Sequence, residues 1–155
     1  MINLLFETSL NSPLGELGLL ADDTHLIELS LIGLKGLSLR GKPEKERFKV
    51  EIEELTQYFS KKRNSFTFKI QIGGTYFQKL VFKNMKTIKY GKVLTYSELA
   101  AKIGKPKAYR AVGSACGANR IPIVIPCHRV VSSTGLGGFG GGLERKKFLL
   151  NLESN

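Results

Sequence analysis

Thr95-Tyr96-Ser97-Glu98-Leu99-Ala100-Ala101-Lys102-Ile103-Gly104 carries both ends of a short helix within ten residues. Thr95 is a good N-cap, Glu98 stands three residues on as its capping-box partner, and Gly104 is a C-cap. After Lys105-Pro106 a second short helix is predicted from about Lys107 to Cys116, ended by Gly117 and Asn119. Two short helices joined by a glycine-containing turn suggest a helix-turn-helix, although an ordinary helical hairpin has the same spacing. In the second helix Arg110, Gly113, Ser114 and Gly117 fall at i, i+3, i+4 and i+7, so they share a face. A glycine inside a helix costs about 1 kcal/mol against alanine. Two on one face imply close approach by a DNA backbone or groove, or tight helix packing. Arg110 is the one long side chain on that bare face.

Upstream, the pattern changes period. Asn3–Ser9, Gly18–Ala21 and Leu26–Ile32 read as short strands, broken by Asn11-Ser12-Pro13 and Asp22-Asp23. Pro43–Lys62 reads as a helix, with Phe48, Ile52, Leu55 and Phe59 as its apolar stripe. Phe66–Ile72 is an extended connector. A further helix carries Phe77, Leu80, Val81, Met85 and Ile88 on one stripe and ends at Gly91. Downstream, Ile121-Pro122-Ile123-Val124-Ile125-Pro126 is predicted as a buried extended segment, a poor interior sheet strand because of its two prolines. It delivers Cys127-His128-Arg129-Val130. A glycine-rich loop, Gly135 and Gly137–Gly142 interrupted by Phe139, then leads into a last helix, Leu143–Glu153.

The expected class is therefore α+β: a small N-terminal antiparallel sheet with a helix over residues 1–70, joined to a mostly helical domain over 71–155. Charge divides at the same place. Residues 1–70 hold 10 basic and 10 acidic residues, whereas 71–155 hold 14 basic and only three acidic ones, Glu98, Glu144 and Glu153. The whole net charge of +11 lies in the second half, which makes nucleic acid the leading partner. With 42% hydrophobic residues the chain can bury a core. No apolar run approaches the roughly 20 residues of a membrane span, and the N-terminus lacks a signal-peptide pattern. Two cysteines exclude a disulfide scaffold and a four-cysteine zinc site. A soluble protein of a reducing compartment, the cytoplasm, is expected.

Cys127 is the candidate nucleophile. A thiolate is the reactive form, and a free thiol needs a base or a positive field to reach it at neutral pH. His128 and Arg129 follow directly. The pair alone is weak, since most buried cysteines are inert and strand neighbours point to opposite faces. The proline-flanked approach and a loop able to fold over a flat ligand add to it.

Ile125-Pro126-Cys127-His128-Arg129-Val130 resembles the active-site motif of the O6-alkylguanine-DNA alkyltransferases, also called methylated-DNA–protein-cysteine methyltransferases. Gly91–Tyr96, Arg110-Ala111-Val112-Gly113, Asn119, the Gly-Phe-Gly-Gly-Gly-Leu loop and a C-terminal Glu fall in order with it. The resemblance is close from about residue 73 to 153 and rests earlier only on length and pattern. It implies a ribonuclease-H-like N-terminal domain and a winged-helix-like C-terminal one.

It also implies DNA repair by irreversible, stoichiometric alkyl transfer from O6-alkylguanine to Cys127, with O4-alkylthymine a secondary candidate. No cofactor and no metal are implied, since cysteine is both catalyst and acceptor and no Cys precedes Cys116. His128 resembles the base, acting through a bridging water, Glu153 the carboxylate orienting it, Asn119 the brace before the active-site strand, and Tyr96 the donor to the departing guanine. Arg110 resembles the wedge that fills the stack when the target base flips out through the minor groove. Tyr96, Ala108, Tyr109, Ala111, Gly113, Ser114 and Arg129 complete the implied DNA contacts. Val130, Phe139, Gly140 and Gly141 form the implied base pocket.

Three positions depart from the pattern. Phe139 stands where many relatives carry tyrosine, Tyr109 where some have a small residue, and Cys116 where some have methionine. Cys116 reads as a small core residue. A monomer without obligate protein partner and without membrane contact is expected. The rival readings are a non-catalytic binder of alkylated DNA, a helix-turn-helix regulator sensing through Cys127, and a Cys-His hydrolase.

Overall fold

The computed structural model describes residues 4–154. It divides into two units, one ending at Gln71 and the other beginning at Ile72. The class is α+β, with a small sheet and a helix in the first unit and mainly helices in the second.

In the first unit β1 (Phe6–Ser12), β2 (Gly15–Ala21), β3 (Leu26–Ser30) and β4 (Lys42–Pro43) form a sheet in the order β3-β2-β1-β4. The β1–β2 and β2–β3 pairs are antiparallel, and β4 adds a short parallel edge. A two-residue turn at Pro13-Leu14 joins β1 to β2. The Ser12 hydroxyl donates to Gly15 O at 2.7 Å, and Gly15 takes the left-handed conformation there at φ +101°. β1 therefore runs to Ser12, beyond the expected Ser9, because Asn11 and Ser12 pair with Glu16 and Gly15 before the chain turns. Asn3, the first residue of that expected strand, lies outside the described residues.

The helix expected over 43–62 is shorter. Pro43 belongs to β4, a 3-10 turn covers Lys45–Phe48, and α1 is Lys49–Phe59. Its buried face is also rotated from the expected stripe. Glu51, Glu54, Leu55 and Tyr58 point inward, while Ile52 and Phe59 are half-buried. Two carboxylates cause this. Glu51 accepts from Arg47 at 3.0 Å and Glu54 accepts the Thr67 amide at 2.7 Å, so each buried carboxylate has its charge met by a donor. Of the expected extended segment 66–72, Ile70 bridges to Leu26.

The second unit contains α2 (Tyr76–Met85), α3 (Tyr96–Lys102), α4 (Tyr109–Gly117) and α5 (Leu143–Glu153). Capping boxes start α2 at Thr75/Gln78 and α3 at Thr95/Glu98, which fixes where each helix begins. α2 stops at Met85, short of Gly91, and Ile88 remains buried beyond it. α3 and α4 form the helix-turn-helix pair, with Gly104 left-handed at φ +79°. Val81, Phe82 and Met85 of α2, Leu99 and Ala100 of α3, and Val112 and Ala115 of α4 make the core. Two short parallel strands, β5 (Leu94–Thr95) and β6 (Val130–Val131), tie the entrance of α3 to the segment after Cys127. No helix among the described residues is long and apolar enough to cross a membrane.

Candidate active site

Every residue from Ile121 to Val130 is buried. The segment is a turn where an extended segment was expected. The Ile125 amide donates to Ile121 O at 2.9 Å, and Ile123 is held left-handed at φ +77°. A β-branched residue there costs on the order of 1–3 kcal/mol and persists only when its surroundings enforce it. Asn119 supplies part of that enforcement. Its Nδ2 donates to Ile125 O at 2.7 Å and its Oδ1 accepts the Ile121 amide at 3.0 Å, so one side chain clamps both ends of the turn. Cys127-His128-Arg129 follows as a single 3-10 turn in place of a strand.

That turn sends neighbouring side chains to different places. His128 is fully buried, and its Nε2 lies 2.7 Å from Glu153 Oε2 at the end of α5. Arg129 grips the same carboxylate, with Nε to Oε1 at 2.8 Å and Nη2 to Oε2 at 3.0 Å, and its Nη1 donates to Ile88 O at 2.6 Å. Glu153, near the end of the described chain, is only 4% exposed. Arg129, expected among DNA contacts, is instead 7% exposed and spends its fork inside the protein, because a buried carboxylate beside His128 requires a cation.

The electrostatics assign the imidazole tautomer. Burial holds His128 below the ordinary histidine range, while the Glu153 carboxylate works the other way. A neutral ring donating its Nε2 proton to Glu153 leaves the Nδ1 lone pair as acceptor, and Nδ1 makes no hydrogen bond to a protein group. Cys127 is 8% exposed, and burial raises its thiol; the Asn119 side chain and the Lys146 ammonium pull it down. The resting group is a thiol that needs a base.

Cys127 opens onto a cavity of about 140 Å³, whose wall also includes Tyr96, Cys116, Phe139 and the bare backbone of Gly113, Gly117, Gly138 and Gly140. The α4 glycines thus face the cavity, and Gly113 sits against the Tyr96 ring. The Tyr96 hydroxyl is 3.5 Å from Gly138 O, and burial raises its phenol. Cys116, read from sequence as core, is half-buried on this wall, with Sγ 3.7 Å from Met85 Sδ. Val130 and Gly141 do not line the cavity. Val130 is fully buried with its carbonyl taken by Lys146, and Gly141 O accepts from Arg145 at 2.8 Å. On the outer face of α4, Arg110, Ala111 and Ser114 are exposed, Ala108 is half-buried, and the Arg110 guanidinium lies 6.0 Å from the exposed Tyr109 ring.

Lys146 escaped the sequence reading. It is a fully buried lysine whose Nζ donates to Val130 O at 2.7 Å and Gly138 O at 2.9 Å. A signal was present, since Lys146 shares its helical face with Leu149 and Glu153. Among the described residues no three His, Cys, Asp or Glu side chains gather as a metal site.

Residues 76–155 match the family model of the 6-O-methylguanine DNA methyltransferase DNA binding domain, and residues 5–72 match that of its ribonuclease-like domain. A methylated-DNA–protein-cysteine methyltransferase of Methanosarcina barkeri is 43% identical over 150 residues, covering 94% of this chain and 95% of the relative. One of Mycolicibacterium paratuberculosis is 41% identical over 148 residues, covering 94% and 90%. The crystal structure of Mycobacterium tuberculosis OGT in complex with DNA superposes with a TM-score of 0.90 at 38% identity, covering 96% of this chain and 92% of that one.

Proposed function

Since the chain belongs to the 6-O-methylguanine DNA methyltransferase family, we propose that Cys127 is the residue on which its chemistry ends. The protein binds DNA and repairs it by alkyl transfer, moving the alkyl group of a damaged guanine to a cysteine of its own.

In the proposed mechanism a bond forms between Cys127 Sγ and the alkyl carbon as the bond from that carbon to guanine O6 breaks. A soft nucleophile in line with the leaving oxygen suits displacement at a saturated carbon. The thiol proton passes through a water to His128 Nδ1, and the Tyr96 hydroxyl donates to the guanine as it leaves. The product is a thioether, so each molecule acts once. The observation that carries this reading is the adjacency of a cavity-lining thiol to a buried neutral imidazole, whose Nε2 is committed to Glu153 and whose Nδ1 is unbonded. That is the nucleophile–base–orienter logic of cysteine activation. Asn119 braces the turn that presents the thiol.

A thiol buried to this degree cannot reach a base inside a duplex, so the target is flipped out, at a cost of a few kcal/mol in stacking. Arg110, exposed on the outer face of α4, takes the vacated place in the stack. Tyr109, Ala111 and Ser114 flank it, and Phe139 covers an edge of the pocket. The protein acts as a monomer in the cytoplasm, where one lesion needs one thiol and both cysteines stay reduced.

The test is incubation with duplex oligonucleotide carrying O6-methylguanine, followed by peptide mass mapping. One methyl on the Cys127 peptide is the expected result. Methyl released to water with unmodified protein makes it a hydrolase, and tight binding without transfer makes it a recruiter of other repair proteins.

A further inference from the structure

Lys146 is fully buried and has, among the described residues, no carboxylate in ion-pair contact. Buried charges are ordinarily paired or neutralised, because removal from water is costly. Glu153, the one buried carboxylate of the second unit, is committed to His128 and Arg129. Lys146 is satisfied instead by two carbonyls. One belongs to Val130, three residues after Cys127, and the other to Gly138 of the glycine-rich loop on the cavity wall. The ammonium also sits 6.0 Å from the centre of the Tyr96 ring, which lines the same cavity as Gly138.

Building on the alkyl-transfer reading, we infer that Lys146 is a positioning residue for the reaction, its buried ammonium both pinning the Gly138 loop to the Cys127 turn and serving as the counter-ion of the Cys127 thiolate. The titratable groups around it fit that role. Burial holds the Lys146 ammonium below the ordinary lysine range, and Cys127 on the 3-10 turn and Cys116 on α4 work against that by favouring its charge. Reciprocally, Lys146 draws the Cys127 thiol down. Burial is what chiefly keeps the His128 imidazole on the same turn neutral and able to accept a proton, and Lys146, a like charge, adds to it. Tyr96 on α3 contributes the ring face. The fold thus holds a cation with no permanent anion, bonded to a carbonyl three residues after Cys127 and to one on the wall of the cavity where that thiol becomes anionic during the reaction. This is preorganised stabilisation of developing charge.

The experiment follows Cys127 alkylation by iodoacetamide against pH, resolved by peptide mapping, in Lys146→Met, Lys146→Arg and the unaltered protein. This electrophile needs no alkylguanine, so it tests Lys146 even if the repair reading fails. Failure of that reading would show separately, as no methyl on Cys127 of the unaltered protein. In Lys146→Met the reactive limb is expected to move up by about one pH unit, a tenfold loss of rate at neutral pH, and Lys146→Arg is expected to recover most of it. An unshifted profile in folded Lys146→Met overturns the inference, as does Lys146→Arg matching Lys146→Met. Should Lys146→Met fail to fold, the unaltered protein still decides. Methylating Cys127 removes the thiolate, so the Lys146 ammonium, followed by NMR, must lose its proton at lower pH in the methylated protein. Identical titration before and after methylation overturns the counter-ion role.

Discussion

Glu153 Oε2 lies 2.7 Å from His128 Nε2, across 25 residues of chain and with both side chains buried. The last turn of α5 therefore completes a site whose other members sit on the Cys127 turn. The same carboxylate is forked by Arg129, so its position is set from two sides. A carboxylate fixed this way selects the tautomer that leaves His128 Nδ1 unprotonated.

Replacing that carboxylate separates orientation from charge. Glu153→Gln keeps the shape but leaves Arg129 buried without its anion. The expected destabilisation is about 3 kcal/mol, as for other buried pairs broken on one side. Alkyl transfer should slow on the order of 10²-fold, the usual contribution of a positioned base. Thermal unfolding and single-turnover transfer check the two numbers. A folded Glu153→Gln protein with an unchanged rate would remove Glu153 from the mechanism.

Acid should act on the two units in different pH windows. The folded-state value of His128 lies below the ordinary histidine value of 6.5, chiefly through burial. The unfolded chain therefore binds a proton first as pH falls. The stability this gives the second unit is complete above about 6.5 and declines below it, by at most about 1.4 kcal/mol per pH unit for one proton. In the first unit Glu7 is lowered from 4.5, mainly by its hydrogen bond from Arg40. Its contribution is complete above that value and is lost as pH falls through the folded-state value. Hydrogen exchange resolved by residue should show protection weakening in α5 and the Cys127 turn at higher pH than in β1 and β2. The reverse order would contradict the neutral-histidine assignment.

Much of this site was legible where the chemistry lies between near neighbours. Cys127 and His128 are adjacent, and the Thr95/Glu98 box is complete within four residues, so each could be read without knowing the fold. What stayed hidden depends on distant partners. Arg129 looked like a DNA contact because its destinations, Glu153 and Ile88 O, lie 24 and 41 residues away. Ile121–Pro126 looked extended because prolines and β-branched residues favour that conformation. Asn119 and the Ile121–Ile125 hydrogen bond fold it into a turn. The rotation of α1 was equally hidden, since Glu51 and Glu54 read as solvent-facing until Arg47 and Thr67 meet them.

Arg110 provides a test that distinguishes duplex opening from chemistry. Its side chain is exposed on α4 and is not part of the cavity wall. Arg110→Ala should leave reaction with the free base O6-benzylguanine nearly intact. Repair of a lesion in duplex should fall roughly 10- to 100-fold, since flipping costs a few kcal/mol and the wedge offsets part of it. Equal losses on both substrates would mean that Arg110 supports the pocket and not the flipped state.

Cys127→Ala isolates binding from transfer. Of the three acidic residues in 71–155, Glu153 is buried and paired, which leaves Glu98 and Glu144 as the exposed acids against the 12 basic residues that remain once the buried Arg129 and Lys146 are set aside. The outward field of that unit is therefore positive whether or not the thiol is present. Cys127→Ala should bind duplex DNA as tightly as the unaltered protein and transfer nothing. Its affinity should fall with salt at roughly 0.9 log unit per phosphate contacted for each tenfold rise in concentration. Glutamate at Ser114, on the exposed face of α4, should weaken binding and flatten that slope, because it opposes the phosphates directly. A salt-independent affinity, or a Ser114→Glu protein that binds normally, would move the DNA off α4.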